Sequence, residues 1–139
     1  MSSSELDVPV FTAMLRNVLG EWVAESPNFP AMLAENVEIE HPYAPGGSRR
    51  MVGRTTLIAH LRSTKEKFTV EHAQAVHVYR CEQRRAVIVE FDLAGHWLHS
   101  GTAYKQQCVA IIETDDGRIT RYREYWNPLA PGMSDAPRE

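Results

Sequence analysis

Between Thr69 and Asn127 the chain holds no stretch of ten residues with helical spacing, and this constrains the fold more than any other feature. The segment reads instead as four strands, from Thr69 to Tyr79, Ala86 to Ala94, Ser100 to Thr114 and Ile119 to Asn127. Turns are expected at Glu82–Arg85, at Ala94–His96 and at Asp115–Gly117. The last carries the Asp-Gly pair favoured in tight hairpins, where both central residues take positive φ. A four-strand antiparallel run leaves an apolar face that only the preceding residues can cover.

Those residues supply helices. Phe11, Met14, Leu15, Val18, Leu19, Trp22 and Val23 recur at three- and four-residue steps, so a helix is expected from Val10 to Val23, starting near Pro9 and ending before Ser26-Pro27. A short helical piece follows from Pro30 to Ala34, and a strand from Val37 to Tyr43. Ala44–Gly53 reads as a loop, and Thr55 is the expected cap of a helix running to about Lys67. The predicted class is α+β: a curved antiparallel sheet with N-terminal helices gathered on one side.

A chain of 139 residues can bury roughly two-thirds of its unfolded surface. One domain over residues 8–129 is expected, with disorder at 1–7 and in the tail 130–139. Fifteen Lys and Arg against eighteen Asp and Glu leave a net charge of −3, with the basic residues scattered, so nucleic acid is not an expected partner. The apolar runs Ala86–Val89 and Val109–Ile112 are too short to cross a bilayer about 30 Å thick, so no membrane partner is expected. The start Met-Ser-Ser-Ser-Glu lacks a basic segment followed by an apolar one, and a cytoplasmic location is the expectation. Cys81 and Cys108 have no Cys-x-x-Cys spacing, and His72, His77, His96 and His99 show no ligand spacing with carboxylates. Neither a metal nor another cofactor is expected.

Three segments carry a family resemblance: Ile39-Glu-His-Pro-Tyr-Ala-Pro45, Gly53-Arg-x-x-Leu-x-x-His60, and Asp116-Gly-Arg-Ile-Thr-Arg-Tyr-Arg-Glu-Tyr-Trp-Asn-Pro-Leu129. Their order and content resemble the SnoaL-like branch of the nuclear transport factor 2-like superfamily. The resemblance implies a cone, in which a bent sheet wraps around helices and encloses one deep pocket, often dimerising through the sheet's outer face. Ketosteroid isomerases, polyketide cyclases, limonene-epoxide hydrolases, phenazine-biosynthesis proteins and non-catalytic proteins share this fold, so pocket residues must decide function.

Alternation assigns the faces. Val87, Val89, Phe91 and Leu93 share one side and are expected inward, whereas Glu90 and Asp92 share the other. The likeness of Tyr125-Trp126 to the Tyr-Trp pair of ketosteroid isomerases places Tyr122, Glu124 and Trp126 inside. On the third helix Leu57, His60, Leu61 and Thr64 form the sheet-facing stripe. His41 occupies the place before proline where ketosteroid isomerases carry their aspartate base, and Tyr43, two residues on, is expected to share its face. Gln107 joins Phe91 and Val89 as an expected pocket residue, and Tyr104, Cys108, Ala110 and Ile112 are expected to form an outward apolar patch for a homodimer.

The chemistry follows from the polar residues. The aspartate base and the neutral acid of steroid isomerisation are absent, since His41 and Val109 stand at those positions. The Arg and Asp of the epoxide hydrolases would fall at Val89 and Phe91. The closest pattern is that of the phenazine-biosynthesis A and B proteins, whose Gly-Arg-x-x-Leu-x-x-His segment, with Ser four residues on, matches Gly53–His60 with Thr64 in place of the serine. Their Arg-Glu-Phe-Met-Asn ending matches Arg123–Asn127. The resemblance implies acid-base roles for Glu124 and His60, with Thr64 assisting and His41 as a second base. The expected activity is cyclisation, isomerisation or dehydration of a carbonyl-containing metabolite in secondary metabolism. A non-catalytic binding or scaffold protein would need the same cavity. Proximity of Glu124 to His60 favours catalysis, and a tie between Glu124 and an arginine favours binding.

Overall fold

The computed structural model describes residues 8–135, so the disorder expected at 1–7 and at 136–139 lies outside the described residues. Helix α1 spans Pro9–Leu19, where proline at the first position supplies a preset φ and lacks an N–H that would have no partner. Gly20 ends it at φ +54, and Gly20–Trp22 continues as a 3₁₀ turn where one longer helix is predicted. Met14, Leu15, Val18 and Leu19 form the buried stripe. Leu15 and Leu19 are fully buried, each contributing about 1.5–3 kcal/mol.

Helix α2 spans Phe29–Met32 and is capped by the Asn28 side chain, which accepts from the Ala31 N–H at 3.0 Å. Strand β1, Leu33–His41, begins at once, so the chain is already extended at Leu33 and Ala34, where helix is predicted. Part of the predicted loop is strand β2, Arg49–Val52, whose register sets Met51 against Ile39 and Arg49 against His41. Helix α3 spans Arg54–Lys65, with Gly53 at φ +98 as its first cap in place of Thr55.

The remaining strands are β3 (Phe68–Cys81), β4 (Ala86–Trp97), β5 (Ala103–Asp115) and β6 (Arg118–Tyr125). They form one curved, unclosed sheet in the order β2-β1-β6-β5-β4-β3. Neighbours are antiparallel except β1 and β6, which run parallel. The hairpin at Asp115–Gly117 forms as predicted, with Asp116 and Gly117 both at positive φ. No turn occurs at Ala94–His96, because β4 runs on to Trp97. Gly95 is required there by space, since a Cβ would lie 1.8 Å from the Thr69 carbonyl oxygen.

Strand β5 corrects one face assignment. Cys108, Ala110 and Ile112 are buried in the core, Tyr104 is buried against Phe68 and Trp97, and Lys105 and Gln107 are exposed on the other face. The predicted outward patch is therefore core. The sequence misleads because Val109-Ala-Ile-Ile112 is apolar at every position, and a choice off by one residue inverts all side chains. The tail, predicted disordered from 130, docks on the sheet through residue 132: Trp97 Nε1 donates to the Gly132 carbonyl at 2.8 Å, and the Lys105 N–H donates to Pro131 at 3.2 Å.

Candidate active site

Three elements bring the polar residues together on the inner face. On β1, Val37 and Ile39 are buried and His41 is the next inward position. In the parallel register Ile39 faces Tyr122 of β6, so the following inward residues, His41 and Glu124, occupy neighbouring strands at the same level. From α3, part-buried His60 sets its ring 6.0 Å from that of His41. Trp126, just past β6, packs edge-on against His41 at 5.0 Å.

The floor is apolar. Val89 and Phe91 are buried, as predicted, and Phe11 of α1 meets Phe29 at 5.2 Å, Phe91 at 6.1 Å and Tyr122 at 6.5 Å. Cys108 and Ala110 complete this wall. Burial pushes the Cys108 thiol well above its ordinary range, with the Glu124 charge acting the same way, so this cysteine is no nucleophile at neutral pH.

Glu124 is the carboxylate of the site. Its Oε1 accepts a hydrogen bond of 2.6 Å from the Tyr122 hydroxyl. Desolvation raises its proton affinity above that of an ordinary carboxyl, and the Tyr122 bond, which favours the charged form, opposes the rise. The Tyr122 phenol is itself pushed well above 10 by burial and stays a donor. Arg121 lies instead toward Glu40 at 3.9 Å and Glu113 at 3.7 Å. The His41 pKa falls from 6.5 to about 4 through burial first, then through His60 and Arg49. His41 is thus neutral at physiological pH.

Other predicted residues lie elsewhere. Thr64 stands part-buried one turn beyond His60 on the same α3 stripe. Tyr43 does not share the His41 face: it is 59% exposed and its ring packs on Tyr125 at 5.2 Å. Gln107 is likewise exposed on the outer face. Tyr43, Tyr125 and Gln107, with Val109, Trp126 and the 127–129 segment, line an open hollow of about 650 Å³. Proline at 42 turns the chain before Tyr43, which ends the alternation on which the prediction rests.

Arg49 lies in the stretch Ala44–Gly53 that reads as a loop in sequence, and it is not among the expected site residues. Arg50 does turn away and bonds Glu38 at 2.5 Å. Arg49 and buried Met51 share the inner face of β2, and the period-two pattern of Arg-Arg-Met-Val was the available signal. Two histidines also have carboxylate partners that spacing did not reveal: His77 with Glu90 at 3.0 Å, and His96 with Glu71. Both pairs are cross-strand or near-neighbour contacts at the surface, visible only once β3 and β4 are in register.

A family model for the SnoaL-like domain matches residues 23–122. The chain belongs to the SnoaL-like domain family. Over 96 residues it is 41% identical to the uncharacterized protein YesE of Bacillus subtilis strain 168, covering 68% of this chain and 65% of that one. Over 92 residues it is 38% identical to an uncharacterized PhzA/B-like protein of Pseudomonas aeruginosa, covering 66% and 64%. The chain thus spans slightly under two-thirds of the length of these relatives. A crystal structure of an isomerase candidate from Bacillus subtilis superimposes with a TM-score of 0.69 at 32% identity, over 93% of this chain and 91% of that one. The SnoaL-like cone is also shared, at 19–20% identity, with solved proteins of ketosteroid isomerase-like and nuclear transport factor 2-like fold, a likeness of architecture alone. Among the described residues no helix is long and apolar enough to cross a membrane.

Proposed function

We propose that the protein is a cofactor-free enzyme that moves a proton on a carbonyl-containing metabolite, with Glu124 as the base. The observation that carries this reading is the hydrogen bond of Glu124 to Tyr122, with no arginine ion-paired to Glu124 among the described residues, on the face that also presents His41 and His60. A desolvated carboxylate is a stronger base than one in water, and the Tyr122 bond occupies one oxygen, leaving Oε2 to take the proton.

The proton leaves the carbon next to the carbonyl and passes to Glu124 Oε2, while the C–H electrons form an enolate. The neutral imidazole N–H of His41 and a ring N–H of His60 hydrogen-bond that oxygen, so His41 acts as a donor and not as the second base expected from the sequence. Returning the proton to another carbon gives isomerisation, delivering it to a leaving hydroxyl gives dehydration, and attack of the enolate carbon on an internal carbonyl gives cyclisation. Thr64 and Trp126 orient the substrate. Secondary metabolism is the setting in which such small cyclases and isomerases are used, and two unpaired cysteines accord with the cytoplasm. The homodimer packs through the true outer face, where Tyr79 and Ile88 lie cross-strand and exposed.

The test is α-proton exchange in D₂O, followed by NMR over a panel of cyclic enones, β-diketones and β-keto acids. Exchange faster than buffer for at least one panel member, reduced about 10²-fold by His60→Ala and unchanged in Arg84→Ala, supports the reading. A panel that exchanges no faster than in buffer passes the lead to the binding-protein reading.

A further inference from the structure

Across the inner face, Arg49 on β2, His41 on β1 and Glu124 on β6 stand in one row. Arg49 is the direct cross-strand partner of His41, and His41 is level with Glu124 through the parallel register. Two strand spacings of about 4.8 Å put roughly 10 Å between the backbones of Arg49 and Glu124, the length of a small substituted ring. Met51, buried on the same face of β2, fixes the direction of Arg49, because side chains two apart on a strand point the same way. His60 closes over the row from α3 with its ring 6.0 Å from His41.

From this row we infer that the substrate carries a carboxylate or a similar anionic group at the end away from the reacting carbon, and that Arg49 is the residue that selects it. The inference rests on the proposed reading of the same site. The guanidinium stands at that end of the row and the Glu124 carboxylate at the other, with the His41 and His60 imidazoles between them, where the reacting carbonyl lies. An anion held at Arg49 in a partly desolvated site gains a charge-assisted hydrogen bond, and bidentate geometry adds selectivity over a neutral isostere. The same placement keeps the substrate charge away from Glu124, whose ionised form an adjacent anion would disfavour. The positive field of Arg49 is already felt by His41. Arg50, one residue on, points to the opposite face and bonds Glu38.

The probes are trans-cinnamate and its neutral isostere cinnamamide, titrated into the full chain by calorimetry, with no turnover required. The acid is expected to bind at least tenfold tighter than the amide. Arg49→Gln should bring the ratio to within twofold, Arg49→Lys should retain part of the preference and confirm that the charge matters, and Arg50→Gln should leave it unchanged. Circular dichroism checks that each variant folds. Glu124→Gln should keep the preference for the acid, which separates this inference from the catalytic one: loss of turnover with the preference intact leaves Arg49 as the selector. Equal binding of acid and amide, no measurable binding of the acid, or a preference that survives in Arg49→Gln overturns the inference.

Discussion

Tyr122 donates its phenolic proton to Oε1 of Glu124 at 2.6 Å, two residues apart on one strand and both directed into the cone. The pair is a unit: the phenol cannot ionise in its surroundings, so the bond always runs from tyrosine to carboxyl. Removing the hydroxyl in Tyr122→Phe takes away the hydrogen bond that stabilises the Glu124 charge. The Glu124 pKa should therefore rise further, and the acid limb of any pH–rate profile should move up with it. Side-chain carbon NMR of labelled glutamate reports the shift directly, and a Glu124 titration unchanged by the substitution would contradict the unit.

Glu124 is held protonated to higher pH in the folded protein than in the unfolded chain, so its contribution to stability is full below about pH 4.5 and is lost as pH rises through the folded value. Glu124→Gln keeps the shape and cannot ionise. The variant should match the parent near pH 4 and exceed it at pH 7, where each tenfold difference in proton affinity is worth about 1.4 kcal/mol. Urea midpoints at the two pH values check this, and a variant less stable than the parent at pH 7 would count against a desolvated carboxylate.

His41 has the opposite sign of linkage. Its folded pKa of about 4 lies below the ordinary 6.5, so the stability it contributes is complete above pH 6.5 and lost as pH falls toward 4. The expected loss is on the order of 2–3 kcal/mol after allowance for partial exposure. In His41→Gln the decline between pH 6.5 and 4 should be shallower by that amount in chemical unfolding; equal slopes in the two proteins would refute the burial of a neutral imidazole.

Gly95→Ala tests the sheet itself. A Cβ placed 1.8 Å from the Thr69 carbonyl forces β3 and β4 apart at the bulge between Val70 and His72, and a loss of about 2–4 kcal/mol is expected from thermal or urea unfolding. Gly46→Ala, where nothing lies within 4 Å, should cost less despite its positive φ.

What the sequence revealed depended on contrast along each strand. Val87, Val89 and Phe91 alternate with Ile88, Glu90 and Asp92, and the charged positions settle the face; on β5 the run Val109–Ile112 offers no such contrast, and the assignment inverted. The direction of His60 and Thr64 was legible because helix periodicity fixes it locally, whereas strand alternation only grouped Glu124 with Tyr122 and Trp126, and the family resemblance of Tyr125-Trp126 implied which side is inner. Arg49 had only the four-residue alternation Arg-Arg-Met-Val as a signal, because β2 is fixed by its pairing with β1, and the fate of Tyr43 was not legible, because a proline separates it from the strand that would have aimed it. Gly95 reads as a turn residue in sequence, and only the neighbouring strand shows that it answers a steric need.

The central claim is that Glu124 transfers a proton, and it is tested most directly by one comparison: the rate of α-proton exchange in D₂O for the fastest member of the carbonyl panel, in the parent and in Glu124→Gln. The account predicts a loss of 10²- to 10⁴-fold with ligand affinity changed by less than about threefold. Exchange in Glu124→Gln as fast as in the parent would make Glu124 part of the cavity lining and remove the base from the mechanism.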